Sequence, residues 1–201
     1  MTRFATWISA AMIAVAPGLP AWADKLPLND ISQYFNDLTT AEATFRQFND
    51  DGSVSTGKLF IKRPGRMRFE YDPPDSAVVV AGSNTVVIYD TKSNLPAETY
   101  PLKRTPLNLI LDKSVDLGRA QMVVGHSFDG TNTLVTAQDP DNPEYGSIQM
   151  TFSADPVALQ GWTVNDANGG RTQIVLERMR EGGSLPNRLF DVGKANPNRS
   201  R

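Results

Sequence analysis

The sequence predicts a mainly β fold: an unclosed antiparallel β-barrel of about eleven strands covering an apolar cavity, with short α-helices to close its open side. Three observations predict it. Residues 57–71 read as a β-hairpin in which Arg63, Pro64 and Gly65 supply the turn. Its second arm alternates strictly, with Met67, Phe69 and Tyr71 on one face and Arg66, Arg68 and Glu70 on the other, the period of a half-buried strand. About eleven such short segments follow one another, separated by turn residues, and a meander of that size curls rather than staying flat. Two apolar stretches near 28–41 and 105–112 break the pattern with helical spacing.

The 201 residues hold 20 Lys+Arg and 22 Asp+Glu, a net charge of −2, with 40% hydrophobic residues. This composition suits a globular chain and lacks the basic excess of a nucleic-acid binder. Cysteine is absent, which removes disulfides, thiolate metal sites and cysteine nucleophiles together. Arg3, the apolar run from Phe4 to Val15, the break at Pro17 to Pro20 and the small residues Ala21 and Ala23 read as a secretory signal peptide. The run is shorter than the roughly 20 residues of a spanning helix. The expected organisation is a signal peptide at 1–23 and a single domain at 24–201. With no cysteine after that site, the mature chain lacks the attachment point for N-terminal lipidation.

In chain order, Leu28, Ile31, Phe35 and Leu38 fall at helical spacing, with Asn29 or Asp30 as the expected cap. Alternation returns at 43–48, and Asn49 to Gly52 turns into the hairpin. Pro73 and Pro74 end the hairpin because neither can donate to a ladder. Strands are expected at 77–81, 85–90 and 97–102. Thr105 and Pro106 suit an N-cap and first turn for an inserted helix carrying Leu107, Leu109, Ile110 and Leu111, although the same run could be a buried strand. Strands resume at 119–128, with Asp129 and Gly130 as a tight-hairpin pair, then at 131–138, 146–153, from 159 or 160 through Val164, and 171–179. Leu189, Phe190 and Val192 form a last apolar set before a polar tail.

Catalysis has little support. His126 is the lone histidine, and in a strand it reads as structural or solvent-facing. No nucleophile-elbow motif accompanies it. Asp139, Asp141 and Glu144 lie in a loop without the spacing of a dedicated calcium site. No cofactor and no metal is implied. The basic set Lys58, Lys62, Arg63, Arg66 and Arg68 reads mostly as the solvent-facing half of alternating strands, with a lipid headgroup or acidic partner as the functional alternative. Arg63 differs, since a planar donor at a turn can reach carbonyls of a neighbouring element.

These residues also carry a resemblance. Phe45 and Gln47, then Gly57, Leu59, Lys62, Arg63 and Pro64, then the alternation Met67, Phe69, Tyr71, with Pro73–Pro74 and the strand at 86–90, resemble the periplasmic outer-membrane lipoprotein carrier family, LolA. The likeness covers nearly all of the chain after residue 23. It implies a cavity that holds acyl chains, without enzymatic activity. It also implies acylated lipoproteins as cargo, an inner-membrane ABC transporter as donor, an outer-membrane receptor as acceptor, and a periplasmic monomer. The family's latch arginine falls on Arg63. Its cavity wall falls on Leu59, Ile61, Met67, Phe69 and Tyr71, with Met67 where the family often has an aromatic. The lid falls on Pro106, Leu109 and Ile110, together with Ile31, Phe35 and Leu38 of the first helix. The alternative reading is a periplasmic binding or sensor module of the same fold for another lipid or acylated ligand.

Overall fold

The computed structural model describes residues 25–194, apart from 91, 93, 94, 119 and 120. The expected signal peptide at 1–23 lies outside the described residues, as does the start of the strand expected at 119.

Leu28–Asp37 forms helix α1, with Ile31 and Phe35 fully buried. Neither Asn29 nor Asp30 caps it. The N-cap is Pro27, whose carbonyl accepts the N–H groups of Asp30 and Ile31 at 3.1 and 3.3 Å. The helix also stops short of residue 41. Leu38 N–H closes the last turn on the Tyr34 carbonyl, and Thr40 and Ala41 pair with Lys62 and Ile61 instead. Ala41, Ala43 and Phe45 then bury one face at period two, so strand pairing takes the residues from Thr40 onward.

The strands are β1 Thr40–Phe48, β2 Val54–Lys62, β3 Arg66–Tyr71, β4 Val78–Gly82, β5 Thr85–Tyr89, β6 Glu98–Pro101, β7 Val123–Phe128, β8 Thr133–Gln138, β9 Ser147–Ala154, β10 Val157–Asn165 and β11 Arg171–Glu181. All pair antiparallel in one sheet of order β6-β5-β4-β3-β2-β1-β11-β10-β9-β8-β7. Two meanders, β1–β6 and β7–β11, are joined by the β1–β11 pairing. Because β6 and β7 do not pair with each other, the half-barrel stays unclosed. Phe128 pairs with Thr133, so Asp129 and Gly130 belong to a four-residue connection rather than a two-residue turn. Asp129 accepts the N–H groups of Thr131 and Asn132 at 2.8 and 2.7 Å, and these two bonds shape the longer loop.

The chain from β6 to β7 passes over the apolar face. It holds a 3-10 turn at Leu102–Arg104 and a single α-turn, α2, at Asn108–Leu111. Thr105 is not the N-cap. Its hydroxyl donates back to the Leu102 carbonyl at 2.8 Å, and Leu107 precedes α2. Successive i-to-i−3 bonds from Asn108, Leu109 and Ile110 keep the segment a chain of tight turns.

Lys62, Arg66 and Arg68 are not simply solvated. Lys62 Nζ donates to the Leu185 carbonyl at 2.6 Å and to Asn187 Oδ1 at 2.8 Å. Arg66 Nη1 donates to the same Oδ1 at 3.1 Å, and Arg68 Nη1 to the Leu189 carbonyl at 3.2 Å. A C-terminal strap containing the 3-10 turn Asn187–Phe190 thus crosses β2–β4 and covers Val78 and Val80, while Val79 and Ala81 face the core. Burial on both faces accounts for the valine run. Replacing Asn187 with alanine removes the acceptor shared by two cations. It is expected to lower stability by about 1 kcal/mol in denaturant unfolding, with faster amide exchange confined to the strap.

Candidate functional site

Phe69, Val79 and Ile88 sit opposite one another across β3, β4 and β5, and Trp162 pairs with Ile174 across β10 and β11. These two walls touch where Phe69 and Trp162 meet edge-on at 6.3 Å, and beyond that contact they flank an open cleft of about 460 Å³. Val86, Val164 and Tyr71 extend the apolar lining, and Pro106 and Leu107 of the covering segment form one side. Gly57 allows the neighbouring wall to close up. A Cβ there would lie 2.1 Å from the Glu70 carbonyl oxygen and 2.9 Å from the Phe45 ring. With hydrogen in that place, Phe45 packs edge-on against Phe69 and Tyr71 at centroid distances of 5.3 and 5.2 Å.

Of the five expected wall residues, the structure brings Phe69 and Tyr71 to the cleft. Leu59, Ile61 and Met67 lie on the same face but farther along the sheet, fully buried beneath the cover. There they belong to one apolar cluster with Ile31, Phe35, Leu38 and Ile110. Pro106 lines the cleft, and Leu109 is half-buried against the cluster. Phe35 meets Phe152 of β9 edge-on at 5.6 Å. Val79, Val86, Ile88, Leu107, Trp162, Val164 and Ile174 line the cleft without having been singled out from the sequence. Their signal was present as same-face alternation, but only the strand register shows that it continues the Phe69 row.

Arg63 is 8% exposed at the β2–β3 turn, between barrel and cover. Its Nη2 donates to the Asp112 carbonyl at 2.5 Å, and its guanidinium lies 5.7 Å from the centre of the Phe35 ring. Two backbone bonds flank this contact. Gly65 N–H donates to Leu111 O and Arg63 N–H to Thr39 O, both at 2.8 Å. Arg63 Nε and Nη1 are buried with no hydrogen-bond partner among the described residues. Burial lowers the guanidinium's pKa, with the nearby Asp112 opposing the shift. One charge-assisted bond therefore joins this side chain to the cover.

Tyr71 OH donates to Gln47 Oε1 at 2.6 Å. Burial pushes its phenol from the ordinary 10.0 up to about 12. A raised folded-state pKa gives stability that is complete below the unfolded value and is lost as pH climbs through the folded one. Unfolding free energy is expected to fall between pH 10 and 12, and Tyr71→Phe should flatten that fall. Tyr34, also raised mainly by burial, leaves a residual slope.

Other candidates lie apart. His126 Nε2 donates to the Leu26 carbonyl at 2.9 Å, holding the N-terminal segment against β7. Asp139 accepts the N–H groups of Asp141 and Asn142 at 2.9 and 3.1 Å and shapes its own loop. Among the described residues no three His, Cys, Asp or Glu side chains group as metal ligands, and no helix is long and apolar enough to cross a membrane.

Relatives match over most of the chain. An outer-membrane lipoprotein carrier protein from Chromobacterium violaceum is 27% identical over 188 residues, covering 88% of each chain. Another from Chromohalobacter salexigens is 26% identical over 189 residues, covering 89% of this chain and 88% of the relative. The solved structure of an outer membrane lipoprotein-sorting protein domain, described as putative, from Vibrio parahaemolyticus overlays with a TM-score of 0.49 at 11% identity, covering 83% of this chain and 95% of that one. The profile of the outer membrane lipoprotein carrier protein LolA family spans residues 36–193, and the chain belongs to that family.

Proposed function

We propose that the protein is a periplasmic carrier that shields the acyl chains of lipoproteins between an inner-membrane ABC transporter and an outer-membrane receptor. The working form is a monomer of one domain, residues 24–201, after removal of a signal peptide at 1–23. The observation that carries this reading is an apolar cleft continuous with a core whose cover is joined to a buried arginine by one side-chain bond. An acyl chain of about fifteen methylenes gains ~12 kcal/mol on burial at roughly 0.8 kcal/mol each. Against this stand the charge-assisted Arg63 bond, worth about 1.5–3 kcal/mol, and the Gly65–Leu111 backbone bond, worth about 1 kcal/mol. Cargo can therefore displace the cover, parting it from the Leu59, Ile61 and Met67 floor, while the cost of opening keeps binding weak enough for release.

The role of Arg63 as latch follows from the same comparison. Pro106, Leu109 and Ile110 move with the cover, and Ile31, Phe35 and Leu38 form its second part. The test is incubation with vesicles that contain a triacylated lipoprotein, its ATP-driven transporter and ATP. A soluble one-to-one complex with the acylated form is expected. Equal release of an unacylated form, or no soluble complex, would overturn the carrier reading.

A further inference from the structure

We propose that the cleft, with its cover still latched, binds one single-chain fatty carboxylate whose head contacts Arg104. The proposal rests on the acyl-chain reading above and specifies what the closed protein takes. Size comes first. At roughly 30 Å³ per water-sized group, the 460 Å³ cleft accommodates about fifteen methylene-sized groups, one chain rather than the three of a triacylated cargo. The chain's path is already lined, by Val79 and Ile88 on one side and Val164 and Ile174 on the other, and it is bounded by Phe69 and Trp162, whose rings meet edge-on at 6.3 Å. Nothing in this path requires the latch to open. The cleft meets the covering segment at Pro106 and Leu107, whereas the latch holds its far end at Leu111 and Asp112.

The rim sets the head group. Two charged residues line the cleft, Arg104 and Asp166. Asp166 turns inward on its own loop, where Oδ1 accepts the N–H groups of Asn168 and Gly170 at 2.7 and 2.9 Å. Arg104 ends the 3-10 turn Leu102–Arg104, and its side chain has no hydrogen bond or ion pair to the described residues. Its guanidinium only donates, so it favours a head that only accepts, such as a carboxylate. Cargo arriving at the closed protein would then have to displace this occupant.

The test is calorimetric titration of the chain with dodecanoate, dodecylammonium and a two-chain phosphatidylcholine of the same chain length, each below its aggregation threshold. One equivalent of dodecanoate is expected to bind, roughly fivefold tighter than dodecylammonium, as suits an exposed charge contact. The two-chain lipid should not bind. Arg104→Glu should reverse the order of the two single-chain ligands, with an unchanged melting temperature showing that it folds. More than one equivalent of dodecanoate, binding of the two-chain lipid, or the same carboxylate preference in Arg104→Glu would overturn the proposal. Lipoprotein uptake by the wild-type protein without dodecanoate binding would overturn it while leaving the carrier reading intact. Failure of both would remove both.

Discussion

Replacing Arg63 with leucine is expected to raise apparent affinity for an acylated cargo about tenfold to a hundredfold, with the sheet still folded. The size follows from the bond removed. A charge-assisted hydrogen bond contributes about 1.5–3 kcal/mol, and the closed state loses it while the open, binding-competent state does not. Apparent affinity scales with the competent fraction. The fold should tolerate the change because Nε and Nη1 are already buried without partners among the described residues. Leucine ends that desolvation and keeps an apolar group beside Phe35. Exchange of the Gly65 amide, which is bonded to Leu111 O, should quicken, and transfer to receptor-bearing vesicles should slow. Arg63→Lys should fall between, since an ammonium can reach one carbonyl but cannot lie as a plane over a ring. Unchanged amide exchange together with wild-type transfer in the leucine variant would remove the latch.

The parts legible in the sequence were those set by local periodicity. Met67, Phe69 and Tyr71 declare a face because side chains alternate every two residues, and Arg63–Gly65 declares a turn. Alternation fixes the face but not the position along it. Met67 and Tyr71 therefore read as equivalent, although the first lies sealed under the cover and the second lines the cleft. The opposite wall was hidden for another reason. Trp162 and Ile174 face Phe69 and Ile88 only because β1 pairs with β11, a contact between residues more than a hundred positions apart. No window of the sequence contains that pairing. From the sequence alone Lys62, Arg66 and Arg68 read mostly as solvated, because a carbonyl acceptor on a distant strap leaves no local trace. Polar turn residues at 49–52 and 129–132 marked connections well but not their lengths, which depend on where the ladders end.

A contrast between two phenylalanines separates floor from cleft. Phe152→Ala is expected to destabilise the protein by about 3–5 kcal/mol, because the ring is fully buried and meets Phe35 and Tyr34 edge-on at 5.6 and 6.1 Å. The void it leaves lies between the sheet and α1, and filling it would require the cover to collapse inward. Phe69→Ala removes a ring of the same size from the cleft wall. There the lost volume joins an existing opening, so the penalty should fall toward about 3 kcal/mol, the low end for such truncations. Its larger effect should be on ligand, since one wall loses an aromatic surface while the cover keeps all its contacts with Phe152. Denaturant midpoints with equal slopes would measure the first difference, and titration with a single-chain amphiphile the second. Equal destabilisation by the two truncations, with binding unaltered in Phe69→Ala, would mean that both rings serve only packing and that the acyl chain lies elsewhere.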